Sequence, residues 1–203
     1  MESVRIQSED GGSKPTYPLH SLYVVKCGLD VVKSFVEKWH YSHSVFGVTT
    51  TVCFAVIHED VVVGAAIFGL PAGTGVYEKY SDHGKHKLLE LRRFCLIDDL
   101  PKNAETRTLG VMLRQLRYDG YERILSYADP AYGHQGTIYK AAGFTLLGKT
   151  NSRKHWTWKG KKYPDRNIHQ IHFKYHIQLR SAIAFGEATP VKIPGKLIYL
   201  RNL

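Results

Sequence analysis

The stretch from Ser126 to Phe144, SYADPAYGHQGTIYKAAGF, opens as a buried strand and closes as a short helix. Between those ends it crowds Asp129, His134 and three tyrosines. Such residues move protons. Tyr139 falls in the first turn of the helix, where a phenol could protonate a leaving thiolate or alkoxide. A core tyrosine with a satisfied hydroxyl is the alternative. Asp129 ends the strand just before Pro130, and open α/β sheets hold their ligands at the C-terminal ends of strands. It could equally cap the turn that follows.

A second set lies upstream. His40 and Tyr41 close an expected helix, where a histidine more often satisfies a backbone carbonyl. In LLELRRF, Leu88 to Phe94, strict alternation sets Glu90 and Arg92 on one face and Leu91 and Arg93 on the other. One arginine must then face the apolar side. His40, His43 and Asp129 could meet at a metal, but a three-residue histidine spacing at a helix end is common by chance. No metal is expected.

These residues need a scaffold, and the chain supplies one. Its 203 residues, 43% hydrophobic, are ample for a full core. Residues 1–18 are polar, with Gly11-Gly12 and two prolines, and read as a loose arm ahead of a single domain over 19–203. SLYVVKC (21–27) reads as a strand and LDVVKSFVEKWHYSH (29–43) as a helix with Val32, Phe35, Val36 and Trp39 on one face. TVCFAVIH and VVVGAAIFGL form a hairpin about Glu59-Asp60. A Gly- and Lys-rich loop over 71–87, without helical period, leads into the strand 88–97. A helix starts near Asn103, a natural N-cap, with Leu109, Met112, Leu113 and Leu116 buried. RILSYADP is a strand, GTIYKAAGF a short helix, and the remainder alternates in strand fashion to KLIYLRNL. The order describes an α/β mixed sheet with few crossover helices and a basic C-terminal β extension.

No run of eighteen apolar residues and no signal-like N-terminus occurs, so neither a membrane span nor secretion is expected, and the cytoplasm is the expected location. Cys27, Cys53 and Cys95 lie far apart in apolar surroundings, as buried thiols do. The charge is localised. Residues 145–180 hold nine Lys or Arg against one acid, Asp165, and so carry most of the formal net charge of +10. Trp156, Trp158, Tyr163, Phe173 and Tyr175 interleave with those cations. Cations neutralise phosphates while rings stack on bases, so Arg153, Lys154, Trp156, Trp158, Lys159, Lys161 and Lys162 are expected to bind nucleic acid. A solvated basic hairpin with its aromatics facing the core is the bland alternative.

IYKAAGF (138–144) resembles the signature helix of GCN5-related N-acyltransferases, whose tyrosine faces the acyl donor. WHYSHS (39–44), FGLPAG (68–73), ELRRFCLIDDLPKNAETR (90–107) and SYADPAYGHQGTIYKAAGF look like the successive motifs of the Mom family of phage DNA modification proteins. The resemblance implies a GCN5-related N-acyltransferase-like fold and conversion of adenine in double-stranded DNA to N6-carbamoylmethyladenine, an anti-restriction mark. It implies catalytic roles for Tyr139, Asp129, His40 and Tyr41, and a donor held by Arg93, Asn103 and Ser126. A structural salt bridge is the competing role for Arg93.

Acyltransferases of this kind cradle a pyrophosphate in R/Q-x-x-G-x-G/A at a helix start. RTLGVM (107–112) lacks the last small residue, PKNAETR is the better candidate loop, and Glu105 would repel a pyrophosphate. Acetyl-CoA is therefore the alternative donor, and glycyl-tRNA the favoured hypothesis. In that scheme Asp129 or His40 takes the proton from N6, Tyr139 protonates the leaving oxygen, and tRNA becomes a second partner. DPAY (129–132) also echoes the D-P-P-Y of adenine N6-methyltransferases, which would make the chain an S-adenosylmethionine enzyme, and a non-catalytic DNA-binding module would need only the basic segment. Nothing in the sequence fixes oligomeric state, and a homodimer is left open.

Overall fold

The computed structural model describes residues 5–6, 17–73, 75–82, 87–171 and 173–203. In chain order its strands are β1 (Arg5–Ile6), β2 (Tyr23–Cys27), β3 (Val52–His58), β4 (Val61–Gly69), β5 (Leu88–Leu96), β6 (Arg123–Ala128), β7 (Thr145–Lys149), β8 (Arg153–Trp158), β9 (Lys161–Pro164), β10 (Thr189–Ile193) and β11 (Leu197–Asn202). The helices are α1 (Leu29–Trp39), α2 (Val76–Tyr80), α3 (Ala104–Tyr118), α4 (Thr137–Ala141) and α5 (His176–Ala184). The large sheet runs β2-β3-β4-β5-β6-β11-β7, with β1 added to β4, and a smaller sheet runs β10-β8-β9.

The chain packs as two compact units, Met1–Tyr127 with Gly136–Leu146 and Tyr199–Leu203, and Ala128–Gln135 with Leu147–Ile198. The sequence reading treats 19–203 as one domain. The second unit has a core of its own, built from Trp156, Trp158, Leu179, Ala182 and Ala188.

In the first unit the hydrophobic periods become packing faces. Val32, Phe35 and Val36 of α1 and Leu109, Met112 and Leu116 of α3 are almost wholly buried, as are Phe54 of β3 and Phe68 of β4, which meet edge to face at 5.7 Å. The β3–β4 turn takes positive φ at both Glu59 and Asp60, the geometry whose twist matches a two-residue hairpin. α1 stops at Trp39, four residues short of the expected end, because His40 is extended and His43 is left-handed (φ 45°). Of the expected arm, Arg5–Ile6 pair in parallel with Val61–Val62 and Tyr17 is buried against His58; residues 1–4 and 7–16 lie outside the described residues.

Two local expectations are corrected. Val76–Tyr80, read as loop, forms the single-turn helix α2, and α5, read as strand, is helical. In α5 Leu179 and Ala182 are buried and Ile183 packs against the same core while Ile177 is exposed, so the apolar period is blurred in sequence.

Candidate functional site

β5 and β6 are parallel neighbours for only four pairs, from Leu88↔Arg123 to Leu91↔Ser126, although β5 continues to Leu96. The strands therefore part just past Leu91, toward their C-terminal ends, which is where open sheets take ligands. A bulge in β5 falls at the same point. Ile67 pairs with Arg93 and Phe68 with Leu91, leaving Arg92 as the extra residue. Bulges re-aim side chains beside functional sites, and this one overturns strict alternation. Because paired residues share a face, Leu91 follows Phe68 while Arg93 follows Ile67, the side that also holds Glu90. Arg93 is thus not on the Leu91 face, as alternation would have it.

The bulge also separates the roles of the two arginines. Arg92 Nη1 donates to Glu90 Oε2 at 3.1 Å, with both side chains mostly buried. Arg93 donates through Nε to Ser44 O (2.9 Å) and through Nη1 to its neighbour's carbonyl, Arg92 O (2.7 Å). The structural salt bridge belongs to Arg92. Among the described residues no carboxylate is in ion-pair contact with Arg93, which is half-buried. Burial lowers its pKa, with Arg92 acting in the same sense and Tyr41 and Glu90 in the opposite one.

Tyr139 enters the same region from α4. Its side chain is partly accessible, yet the phenol oxygen lies deep among protein atoms, and burial raises its pKa above the ordinary value. The Ser126 hydroxyl opposes that shift, while Tyr41, Glu90 and Tyr199 reinforce it. Ser126 Oγ is fully buried and makes no hydrogen bond of ordinary geometry, yet it is near enough to the phenol to favour ionisation. The Tyr139 ring packs on Phe144 (5.5 Å) and Tyr199 (5.4 Å). Gly136, with φ of +71°, makes the last contact feasible, since a Cβ there would stand 2.3 Å from the Tyr199 ring.

Of the residues expected from sequence, Tyr41 and Ser126 come within electrostatic reach of Tyr139, and Tyr41 also reaches Arg93. His40 is buried and stacks on Tyr41 (centroids 4.3 Å apart). The Ser42 amide donates to His40 Nδ1 at 3.1 Å. An amide can only donate, so Nδ1 is the acceptor and the neutral ring carries its proton on Nε2. His40 in that tautomer donates, which does not suit the expected role of proton acceptor. Asn103 stands at the start of α3 in the left-handed region (φ 72°) and its side chain makes no cap bond, contrary to the expected N-cap role. Ala104 N already donates to Pro101 O, and Glu105 sets a carboxylate in the first turn.

Asp129 belongs to the second unit. It is 97% buried, and its Oδ1 accepts from the Ala131 amide (3.2 Å) and from Arg153 Nη2 (2.8 Å), with Lys196 Nζ 3.9 Å from Oδ2. It both caps the turn and anchors an ion pair. Arg153 is accordingly engaged within the protein. Trp156 and Trp158 are corrected likewise: both are buried, on the face of β8 that forms the unit's core, and Trp156 Nε1 donates to Asp165 Oδ1 at 2.6 Å. They do not offer open ring faces. Lys154, Lys159, Lys161 and Lys162 remain exposed, with Lys154 and Lys159 lying over the Trp156 and Trp158 rings at 4.2 and 4.7 Å.

Sequence reasoning missed Glu90, Tyr127 and Tyr199. Burial and then Glu90 push the Tyr127 phenol up to about 12, and burial followed by Glu90 raises Tyr77. Glu90 is thus the carboxylate whose charge reaches three phenols. Its place in an apolar strand beside two arginines was the available signal; Tyr199 had none. The cysteines are free, and burial pushes Cys27 and Cys53 up to about 11 and Cys95 to about 12. No cluster of metal-ligating side chains is found among the described residues, and no helix there is long and apolar enough to cross a membrane.

The methylcarbamoylase mom of Escherichia phage Mu is 36% identical over 66 residues, which is 32% of this chain and 27% of that protein. The match therefore spans about a quarter of that relative's length. The IAA acetyltransferase from Bacillus cereus superposes with a TM-score of 0.52 at 7% identity, covering 90% of this chain and 100% of the other. Aminoglycoside acetyltransferase AAC(6')-Ib, solved with coenzyme A and kanamycin, gives 0.53 at 12% identity over 90% and 95%. At such identities the likeness establishes the fold alone, and it is the acetyltransferase fold that IYKAAGF suggests. The model of the Mom protein family matches residues 21–202, so the bulged β5, the parted β6 and the helix bearing Tyr139 are those of a chain that belongs to the Mom family.

Proposed function

We propose that this chain is a transferase that acylates N6 of adenine in duplex DNA, giving N6-carbamoylmethyladenine and masking restriction sites. One observation carries the reading: the buried Tyr139 phenol has Ser126, Tyr41 and Glu90 within electrostatic reach, and Arg93, which Tyr41 and Glu90 also reach, spends its hydrogen bonds on backbone carbonyls just past the point where β5 and β6 part. That set suits an anionic donor with a leaving group that needs a proton. The name of the phage Mu relative, a methylcarbamoylase, supports the transferred group, and family membership supports the kinship with it.

The favoured donor is a glycyl ester, as in glycyl-tRNA. N6 attacks the ester carbonyl, the ester C–O bond breaks, and Tyr139 gives the leaving oxygen its proton. Glu90, paired with Arg92 yet within electrostatic reach of Tyr139 in the same unit, takes the proton from N6, whereas His40 Nδ1 is engaged and Asp129 belongs to the second unit, paired with Arg153. The free glycyl amine of the new amide then attacks C6 through a five-membered ring. The C6–N6 bond breaks, N6 leaves as the carboxamide nitrogen, and C6–NH–CH2–CONH2 remains. The adenine must leave the stack for the first step, and the exposed Lys159, Lys161 and Lys162 at the tip of the β8–β9 hairpin suit the DNA backbone.

An acetyl-CoA donor is the second reading, favoured by the coenzyme A bound to the aminoglycoside acetyltransferase. Against it stand Glu105 and the occupied Ala104 amide at the start of α3. The test is nucleoside mass spectrometry of duplex DNA treated with purified, RNA-free protein and either glycyl-tRNA charged with 15N-glycine or acetyl-CoA. The expected product carries 15N on C6 and forms only with the glycyl-tRNA. Modification without RNA removes the glycyl donor, an acetyl adduct supports the second reading, and unmodified DNA in every arm refutes adenine in DNA as the acceptor.

A further inference from the structure

The second unit contains a cluster that this chemistry does not use. Lys154 of β8 and Lys192 of β10 are direct partners across the antiparallel pair and share a face. Like charges in that relation repel. The ion pairs of this unit run to Arg153, Lys154 and Lys196, and among the described residues none reaches Lys192, which is exposed. Asp165 compensates Lys154 only from 3.8 Å, with the same Oδ1 already accepting from Trp156. Arg153 Nε is buried without a partner, although its Nη2 is satisfied. These groups border a cavity of about 420 Å³ lined by Ser152, Arg153, Lys154, Pro190, Val191 and Lys192. That volume is in the range of small-molecule sites, roughly 300 to 1,000 Å³. The cavity lies at the far end of β8 from the Lys159-Gly160 turn, about 17 Å away at strand rise, so it is distinct from the lysines at the hairpin tip.

We propose that this cavity binds a phosphate-bearing nucleotide, with Lys154 and Lys192 neutralising the phosphate, the Ser152 hydroxyl donating to it, and Pro190, on the same face as the two lysines, walling the sugar. Two opposed lysines, of which only Lys154 has an acid in reach and that at 3.8 Å, supply the charge that complements a phosphate, and the volume exceeds what a bare phosphate fills. The inference rests on the second unit alone and stands apart from the acyl transfer proposed above. The nucleotide is either free or one unit of a strand.

Calorimetric titration of the full-length protein with inorganic phosphate, dAMP and a single-stranded oligonucleotide tests the site. Lys192→Gln and Lys154→Gln are expected to weaken dAMP about tenfold, the scale of one charge-assisted hydrogen bond. Each should also lower the salt slope of oligonucleotide binding by about one. Lys33→Gln on α1, an exposed lysine of the first unit, removes the same charge and is expected to change nothing. Tighter binding of the oligonucleotide than of dAMP identifies the strand as the source, and equal binding the free nucleotide. The site is refuted by dAMP affinities within twofold of wild type in both variants, by equal weakening in Lys33→Gln, or by inorganic phosphate binding as tightly as dAMP.

Discussion

Replacing Tyr139 by Phe removes one oxygen and leaves the ring. The contacts to Phe144 and Tyr199 at 5.5 and 5.4 Å survive, and Ser126 Oγ loses a neighbour with which it makes no ordinary hydrogen bond. Stability should therefore change by no more than about 1 kcal/mol. Catalysis should change far more, because a positioned proton donor contributes about 10² to 10⁴ in rate, or about 2.7 to 5.4 kcal/mol of barrier. The assay is the fraction of modified adenine in plasmid DNA after expression, read by nucleoside mass spectrometry beside a urea unfolding curve. We expect modification near or below 1% of wild type with the unfolding midpoint almost unmoved. The pH dependence adds a constraint. The phenol's folded pKa is raised above its unfolded value near 10, so its contribution to stability is present below pH 10 and lost as pH rises through the folded value. The donor is protonated throughout the neutral range, and Tyr139 should impose no falling limb on the rate between pH 6 and 9. A Phe variant keeping more than a third of wild-type modification would refute the acid role. So would a wild-type limb in that range that the variant abolishes.

The remaining predictions test the assignments that the geometry changed. Glu90→Gln should cut modification at least a hundredfold while the protein stays folded, and a Gln variant of near wild-type activity would remove Glu90 as proton acceptor. Asp129→Asn should act on stability, lowering it by about 1 to 3 kcal/mol because Arg153 and Lys196 lose their carboxylate partner; a double-mutant cycle with Arg153→Met should recover part of that loss. Full stability with no activity would instead return Asp129 to the chemistry. Trp156→Ala should cost about 3 to 5 kcal/mol as a core truncation, seen by urea unfolding, whereas a base-stacking residue would lose DNA affinity at unchanged stability.

How much of this was readable depended on whether the cause was local. The α1 face, the Glu59-Asp60 turn and the strand-to-helix junction at Tyr139 follow from periods and turn residues within short windows, and the structure keeps them. The Arg92 bulge is different. It is a mismatch of count between β4 and β5, so nothing in LLELRRF alone reveals it, and strict alternation assigned Arg93 to the wrong face. The tryptophans of β8 alternate with polar residues whichever face is buried; only the packing of α5, whose own period was blurred, decides that the indoles form the core. Asp129 was rightly placed at a strand end, but its partner Arg153 is twenty-four residues on, and the ion pair is a tertiary fact. Glu90 and Tyr199 reach Tyr139 from segments separated by more than a hundred residues.

The raised pKa of Tyr139 bears on the donor as well as on the rate. Proton transfer from a phenol above 10 to a thiolate near 8.5 runs uphill by at least about 2 kcal/mol, since each unit is 1.36 kcal/mol. A thiolate is already a competent leaving group and gains little from so weak an acid. An alkoxide leaving a ribose is more basic than a thiolate and gains more from the same phenol. A phenol whose pKa burial raises is therefore of more use to an oxygen ester than to a thioester. The start of α3 leads to the same donor by an independent route, because Glu105 and the engaged Ala104 amide disfavour the pyrophosphate of a coenzyme A thioester. One argument concerns the leaving atom and the other the far end of the donor. They share no residue, and their agreement is the physical case for an aminoacyl ester.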